Sequence, residues 1–215
     1  MNKKTRPLFL ITACCLLFAT YSFSLDIRAI YINERNGDLV DFDLDFDRFE
    51  IKGTQAYLKD LKPGAEKDDQ MDLGVRLPAS ITKSARSYPE IDFLGQSLEA
   101  RIYNALTFFK AKPDKKEILF KATNKPVELR LASIEPVKKR GMRVANGVLW
   151  LDEEIAVKFS LMESKWSAEP SSWWIAFPAQ YNKEEKRWRN VFHVKDWSFK
   201  KRITEIARKA YLERF

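Results

Sequence analysis

The sequence predicts an α+β protein built from two tandem copies of one small unit, each a mainly antiparallel β-sheet followed by a C-terminal α-helix. Three observations lead to this prediction. Short apolar runs alternate with turn residues, two amphipathic segments show helical spacing, and similar features precede both segments in the same order. The chain of 215 residues, 45% of them hydrophobic, is long enough for two small cores.

The unit that ends the chain has the clearest pattern. Residues 173–177 (WWIAF) predict a half-buried strand that Pro178 ends, and residues 191–194 predict a second strand after a charged turn. Asp196 or Ser198 is suited to cap the helix that follows. The residues of this helix predicted to face the core are Phe199, Ile203, Ile206, Ala207, Ala210 and Tyr211.

This unit resembles the SpoVG septation-protein family. Residues 175–178 (IAFP) resemble the IAMP strand of that family, and residues 189–193 (RNVFH) resemble its DIAHPI strand. Arg202-Ile203 resembles the start of its C-terminal helix, which opens with an Arg or a Lys. Similar but shorter matches extend the resemblance back over residues 127–215, which is about the length of one such domain.

The resemblance implies a small antiparallel sheet with a C-terminal helix, and a binding function. SpoVG proteins act as dimers whose sheets associate and are associated with DNA and RNA binding. The positions that carry over as binding residues are Lys200, Lys201 and Arg202 at the start of the helix. A second copy in the same chain would then make the protein a fused dimer with its two copies paired intramolecularly.

The first half reads as a diverged copy of the second. Its helix has an apolar stripe made of Leu98, Ile102, Ala105, Leu106 and Phe109. Four positions of the first half correspond to positions of the second. Residues 27–32 correspond to 129–134, residues 73–79 to 173–179, residues 91–93 to 192–194, and Arg101 to Arg202. Because the matches keep their order at a nearly constant spacing, we interpret them as a duplication.

The domain boundaries follow from these segments. Residues 1–24 are predicted to be a signal peptide, 25–110 the diverged copy, 111–126 a linker, and 127–215 the SpoVG-like domain. The linker contains Ile118-Leu119-Phe120, which is too apolar for a free linker and is expected to dock on one of the sheets.

The signal prediction implies an extracytoplasmic protein, either periplasmic or secreted. A basic start precedes a short apolar run, and the small residues Ser22 and Ser24 lie just before a cleavage point after residue 24. The apolar run is too short to span a membrane, so no stable span is expected after its removal. Both cysteines lie within this segment, and lipid anchoring at Cys14 is the alternative fate.

The charge of the chain is concentrated in the second half. Residues 25–124 hold 16 Lys and Arg against 18 Asp and Glu, whereas residues 125–215 hold 19 against 12. The second half is therefore expected to bind an anionic partner: an envelope polymer, a protein or a nucleic acid. Trp188 and Trp197 accompany the predicted binding residues, since exposed aromatic rings can stack on bases. These residues are Lys186, Arg187, Arg189, Lys200, Lys201, Arg202, Arg208 and Lys209.

No catalytic set, metal site or cofactor site is predicted. His193 is the only histidine, and no nucleophile or second ligand can be assigned to it from the sequence. We therefore expect a non-enzymatic binding protein, and the resemblance implies a link to septation or the cell envelope. A nucleic-acid-binding protein like the SpoVG regulators is the alternative.

An acidic segment in the first half leaves one question open. Asp41, Asp43, Asp45 and Asp47 alternate with apolar residues, which predicts a strand with carboxylates on one face. A calcium loop starting at Asp41 would need Gly and Glu where the chain has Phe46 and Lys52. The favoured interpretation is a solvated strand face, and a bound cation is the alternative. Like charges on one face destabilise each other unless a cation or the basic second copy, docked beside this face, neutralises them.

Overall fold

A computed structural model of the chain describes residues 25–58, 74–81, 87–111, 114–121, 123, 125–138, 141–164, 172–183 and 185–215. The predicted signal segment, with Cys14, lies outside these residues, so its cleavage or lipid attachment stays a prediction. The described chain consists of antiparallel sheets and two helices, one of them C-terminal. This architecture confirms the predicted α+β class.

The two halves of the chain have the same order of elements. Each begins with three long strands, continues with four short ones and ends with a helix, and one extra strand lies between the halves. The first half contains β1 (Ile27–Asn36), β2 (Leu39–Phe46), β3 (Phe49–Tyr57), β4 (Val75–Arg76), β5 (Ala79–Ile81), β6 (Ser87–Pro89), β7 (Ile91–Phe93) and α1 (Gln96–Ala111). The rest contains β8 (Glu117–Leu119), β9 (Leu129–Pro136), β10 (Arg143–Leu151), β11 (Ile155–Glu163), β12 (Trp173–Ala176), β13 (Ala179–Asn182), β14 (Arg187–Asn190), β15 (Phe192–Val194) and α2 (Trp197–Arg214).

These strands form two larger sheets and two hairpins. The first sheet has the order β15-β3-β2-β1-β8, with β4 also pairing with β3. The second has the order β12-β11-β10-β9, with β7 also pairing with β11. The hairpins are β5–β6 and β13–β14.

Each half donates one strand to the sheet of the other half. Strand β15 pairs with β3, and β7 pairs with β11, both antiparallel. Corresponding backbone hydrogen bonds extend the two pairings: Lys195 N–H donates to Arg48 O at 2.9 Å, and Leu94 N–H donates to Glu154 O at 2.9 Å. The two halves therefore share sheets and are joined by main-chain bonds.

One hydrophobic core contains residues from both halves. Its aromatic centre is Phe49 of β3, whose ring stacks on Phe46 at 4.6 Å, on Phe192 at 5.0 Å and on Phe199 at 6.3 Å between centroids. Because Phe192 and Phe199 belong to the second half, this cluster packs the exchanged strand and the start of α2 against the first sheet.

The helices bury the faces that their spacing predicts. In α1 all five residues of the predicted stripe are buried. In α2, Phe199, Ile203, Ala207 and Tyr211 are buried, whereas Ile206 and Ala210 are only half-buried at the margin of the stripe. Helix α2 packs on β9 and β12.

Strand β2 has the predicted alternation. Its apolar residues, starting at Val40, are buried, and its aspartates point to the opposite face. Asp43 accepts hydrogen bonds from Asn33 Nδ2 at 2.8 Å and from the N–H of Gly53 at 2.9 Å. Gly53 has φ +75°, a conformation that favours glycine. It lies in β3 beside an irregularity in the pairing with β2.

Cations neutralise the other end of this acidic face. Lys195 Nζ of the second half lies 2.5 Å from Asp45 Oδ1, and Arg28 NH1 lies 2.8 Å from Asp47 Oδ1. Of the two ways of neutralising this face that the sequence left open, the structure shows the second half doing so at Asp45.

The segment between the halves docks as expected. Strand β8 pairs with β1, placing Ile118 opposite Ile30 and Leu119 opposite Ala29. The N–H of Phe120 also donates to Arg28 O at 2.9 Å. This part of the predicted linker is an edge strand of the first sheet.

Sequence reasoning missed the β13–β14 hairpin. It predicted only a charged turn between the strands at 173–177 and 191–194, and that turn in fact joins two further strands. Their residues, AQYN and RWRN, are half-buried or exposed throughout, so no apolar alternation marks them. An edge-to-face contact between Tyr181 and Trp188, 5.4 Å between centroids, joins the two strands.

The strand exchange predicts that the two halves unfold together. Phe192→Ala removes a fully buried ring between the halves and should lower the free energy of unfolding by about 3–5 kcal/mol. Urea denaturation, followed both by tryptophan fluorescence and by circular dichroism, should show one transition displaced as a whole. The matched control is Phe108→Ala on α1, where the side chain is 50% exposed and a small shift is expected. Two separate transitions in either variant would contradict the exchange.

Candidate functional site: a tryptophan-lined basic groove

A groove of about 560 Å³ lies between strand β12 and helix α2. Aromatic rings and cationic side chains form most of its lining. We call it the tryptophan groove, and its lining residues are Trp173, Trp174, Trp197, Lys200, Lys201, Thr204, Glu205 and Arg208.

Helical spacing brings the α2 residues of the groove together. Trp197 is the first residue of α2, and the others follow it at intervals that return to one face of a helix. The opposite wall is β12, at the edge of the second sheet in the described strand order. Register places Trp174 opposite Met162, and Trp173 opposite Glu163, on β11.

The start of α2 is fixed by Asp196. Its carboxylate caps the helix, accepting from the N–H groups of Ser198 at 2.8 Å and Phe199 at 3.3 Å. Arg48 NH1, from the turn between β2 and β3, lies 2.5 Å from the other carboxylate oxygen. These donors, with the Ser198 side chain first, hold the pKa of Asp196 below its usual value. A residue of the first half thus helps to position the wall of the groove.

Two cations lie against the indole rings of the groove. Lys201 Nζ is 5.7 Å from the centroid of the Trp197 ring, and Arg208 Cζ is 6.0 Å from that of Trp173. These distances suit cation–π contacts. The Trp197 side chain is 73% exposed, so much of its surface is accessible to a ligand.

Arg208 also has an unused donor. Its Nε is buried, and no atom of the described residues accepts its hydrogen bond. A buried donor without a partner is unfavourable unless water or a ligand supplies an acceptor. This nitrogen is sealed from the groove, whereas the ammonium groups of Lys200 and Lys201 are exposed in its lining. These two cations suit the groove to a carboxylate or phosphate oxygen next to an aromatic face.

One carboxylate reduces the net positive charge of the groove. Glu205 Oε1 lies 3.9 Å from Lys201 Nζ, and both side chains are more than half exposed. An exposed pair at this distance contributes little to stability. Lys201 therefore stays available to an anionic ligand, together with Lys200 and Arg208.

The structure divides the predicted binding residues into three groups. Lys200, Lys201 and Arg208 line the groove. Arg202 and Lys209 are exposed on another side of α2, and they are seven residues apart and so share a face. The third group, on the β13–β14 hairpin and its turn, consists of Lys186, Arg187 and Arg189.

The two arginines of the hairpin already pair with an acidic residue. Glu185 accepts hydrogen bonds from Arg189 and from Arg187, and these bonds lower the pKa of its carboxyl. Trp188 of the same hairpin lines a different cavity, of about 590 Å³, over β10 and β11. Trp188 and Trp197 therefore line different cavities, although the sequence grouped the two.

Sequence reasoning missed two tryptophans of the groove. It assigned Trp173 and Trp174 to a buried strand, and both line the groove. Trp173 is half-buried against Tyr211, 5.8 Å between centroids, while Trp174 is 36% exposed. Adjacent residues of a strand point to opposite faces, so two consecutive tryptophans cannot both face one core. This alternation could have indicated from the sequence that at least one of the two rings lies outside the core.

The histidine and the acidic side chains considered in the sequence analysis form no metal-binding group within the described residues. His193 is exposed on β15, in register with Glu50 of β3. Within the described part of the chain, no group of three His, Cys, Asp or Glu side chains is placed to hold a metal ion. No helix of the described residues is both long and apolar enough to cross a membrane.

The cap of α2 predicts a pH-dependent contribution to stability. Because the folded pKa of Asp196 is depressed, its ionised form stabilises the protein above the unfolded pKa of about 4. This contribution is lost as the pH falls through the folded pKa. Asp196→Asn should therefore lower the urea midpoint at pH 7, and the difference from wild type should shrink towards pH 3.

The matched control for this prediction is Glu213→Gln at the other end of α2, where the ion pair with Lys209 measures 3.9 Å. Its midpoint should stay close to wild type throughout. An equal deficit of Asp196→Asn at pH 7 and pH 3 would contradict the linkage.

Comparisons with known proteins add no relative: no family model, no curated protein and no solved structure matches this chain.

Proposed function

We propose that this protein is an exported, non-enzymatic binding protein that holds an anionic polymer of the cell envelope in the tryptophan groove. The observation that carries the proposal is a groove lined by three indole rings together with the exposed cations Lys200 and Lys201. A link to septation comes from the SpoVG resemblance, and the choice of an envelope ligand comes from the resemblance together with the predicted export signal.

The composition of the groove favours a ligand with negative groups on flat or ring-shaped units. Lysine and arginine bind carboxylate or phosphate oxygens through charge-assisted hydrogen bonds. Indole rings offer a flat apolar surface with a large contact area. A volume of about 560 Å³ is within the range of small-ligand sites, so the groove would hold one or two units of a polymer.

The proposal includes a fused pair of SpoVG-like copies. The common order of elements and the reciprocal exchange of β7 and β15 support it. Equivalent bonds recur at both exchanged strands: Lys52 N–H donates to Val191 O at 2.9 Å, and Lys158 N–H donates to Glu90 O at 2.8 Å. A symmetric dimer would make such contacts between chains, and here they lie within one chain.

The two copies differ where the groove is formed. The Arg101–Arg202 correspondence places Gln96 at the position of Trp197 and Glu99 at that of Lys200. The same correspondence places Thr107 at the position of Arg208. The first copy therefore lacks the groove residues. In this proposal it serves as the scaffold on which the second copy is built.

Nucleic acid is the second candidate ligand. Trp197 is 73% exposed and has Lys201 beside its ring, which suits base stacking next to a phosphate. Two of the three positions that carry over from the SpoVG family, Lys200 and Lys201, line the groove. The predicted export signal places the protein away from chromosomal DNA, so we favour the envelope polymer.

Two triple variants with the same loss of charge test the groove. Lys200→Ala/Lys201→Ala/Arg208→Ala removes its cations, and Lys186→Ala/Arg187→Ala/Arg189→Ala removes those of the hairpin. Binding to polygalacturonate, a carboxylated sugar polymer, is measured by titration calorimetry near physiological salt. The groove variant should bind roughly 10- to 100-fold more weakly, since charge-assisted hydrogen bonds are lost, and the hairpin variant less than roughly threefold.

A parallel titration with a single-stranded oligonucleotide separates the two ligands. If the protein binds the oligonucleotide more tightly than polygalacturonate, and the groove variant loses that binding, the nucleic-acid hypothesis replaces the envelope hypothesis. Equal losses in both triple variants would contradict a specific groove, because net charge alone would then explain binding. Trp197→Ala should weaken binding without changing charge, which tests the aromatic contribution.

A further inference from the structure

Both polar backbone groups of Leu25 make hydrogen bonds to side chains inside the protein. Its N–H donates to Oε2 of Glu154 at 2.6 Å, and its carbonyl accepts from NH1 of Arg101 at 2.6 Å. Arg101 NH2 lies 2.6 Å from the same carboxylate oxygen. Leu25 is fully buried, and the Glu154 side chain is only 8% exposed. A carboxylate is thus kept in the interior next to one main-chain nitrogen.

That nitrogen belongs to the first residue after the predicted cleavage point of the signal peptide. Residues 1–24 have the features of a secretory signal, and Ser24 is the last residue before the predicted cleavage point. Hydrolysis of the Ser24–Leu25 peptide bond would add OH to the Ser24 carbonyl carbon and a hydrogen to the Leu25 nitrogen. The resulting amine takes a further proton from solvent at neutral pH, because α-amino groups have pKa values of about 7.7–8.0.

We propose that Glu154 and Arg101 form an internal binding site for the α-ammonium group of Leu25 that signal cleavage creates. The amide hydrogen bond to Glu154 then becomes a buried ion pair, and Arg101 keeps the Leu25 carbonyl in place. The inference rests on the export part of the proposed function and does not involve the tryptophan groove.

The surroundings of Glu154 favour an added positive charge. Asp152, in the same turn, is 4% exposed, and burial raises the pKa of its carboxyl. The charges of Glu154 and Glu128 act in the same direction, while the Glu128 N–H bond and Lys125 oppose them. Arg101 supplies one positive charge to this pair of carboxylates, and an ammonium at the Leu25 nitrogen would supply the second.

Other charged groups near this site have partners of their own. Glu153, the third carboxylate of the turn, is 62% exposed and pairs with Arg130 at 2.7 Å. Asp26, next to Leu25, accepts a hydrogen bond from Thr123. Arg101 comes from α1, so elements of both halves meet at the new terminus.

Mass spectrometry is the first test. The full chain is expressed in a bacterial host that exports it, and the intact mass of the exported protein is measured. The expected product begins at Leu25. A product that begins at another residue, or one with lipid on Cys14, would overturn the proposal and leave the groove untouched.

Protection of the α-amine is the second test and needs no variant. The exported protein is labelled with an amine-reactive reagent near pH 8, and the N-terminal peptide is quantified. We expect labelling of Leu25 in the native protein to be at least roughly tenfold slower than in urea, because opening must precede reaction. Equal rates in the native and unfolded protein would overturn the proposal.

The pH dependence of the thermal midpoint is the third test. A paired α-ammonium has a raised folded pKa, so its stabilisation is complete below about pH 8 and is lost as the pH rises through the folded pKa. The wild-type midpoint should fall between pH 7 and pH 9.5. Glu154→Gln should largely lose that slope, whereas the matched control Glu153→Gln should keep it. The same slope in all three proteins would overturn the proposal.

Discussion

The fold depends on the exchange of two short strands between its halves. Strand β15 completes the first sheet, β7 completes the second, and neither half has a full sheet from its own residues. Because α2 follows β15 after a two-residue connection, the pairing of β15 with β3 holds the start of that helix, while the rest of it packs on β9 and β12. The half of the chain that contributes no residue to the tryptophan groove thus helps to place the start of its helical wall.

Charge complementarity strengthens the same junction. The acidic face of β2 belongs to the half with more carboxylates than cations, and Lys195 reaches it from the basic half. Arg48 reaches in the other direction, to the cap of α2. Both cross-contacts are partly shielded from solvent, so salt screens them less than it screens fully exposed pairs.

Much of the local structure could be predicted from residue spacing. The alternation in β2 and the stripes of α1 and α2 are properties of single segments, and a period of two or 3.6 residues reveals them. The exchange could not be predicted in this way, because the period of β15 says nothing about which strand lies beside it. The β13–β14 hairpin was missed since both faces of its strands are polar or exposed.

If the two halves are the fused pair proposed above, the position of the tryptophan groove determines the valency of the protein. In a dimer of identical chains every substitution appears twice, so a binding surface is gained or lost on both sides at once. One continuous chain is free of this constraint, and among the described residues the tryptophan groove is formed by the second half alone. If the groove binds a polymer, each molecule holds it at one point. Many molecules would then coat one polymer strand without cross-linking neighbouring strands.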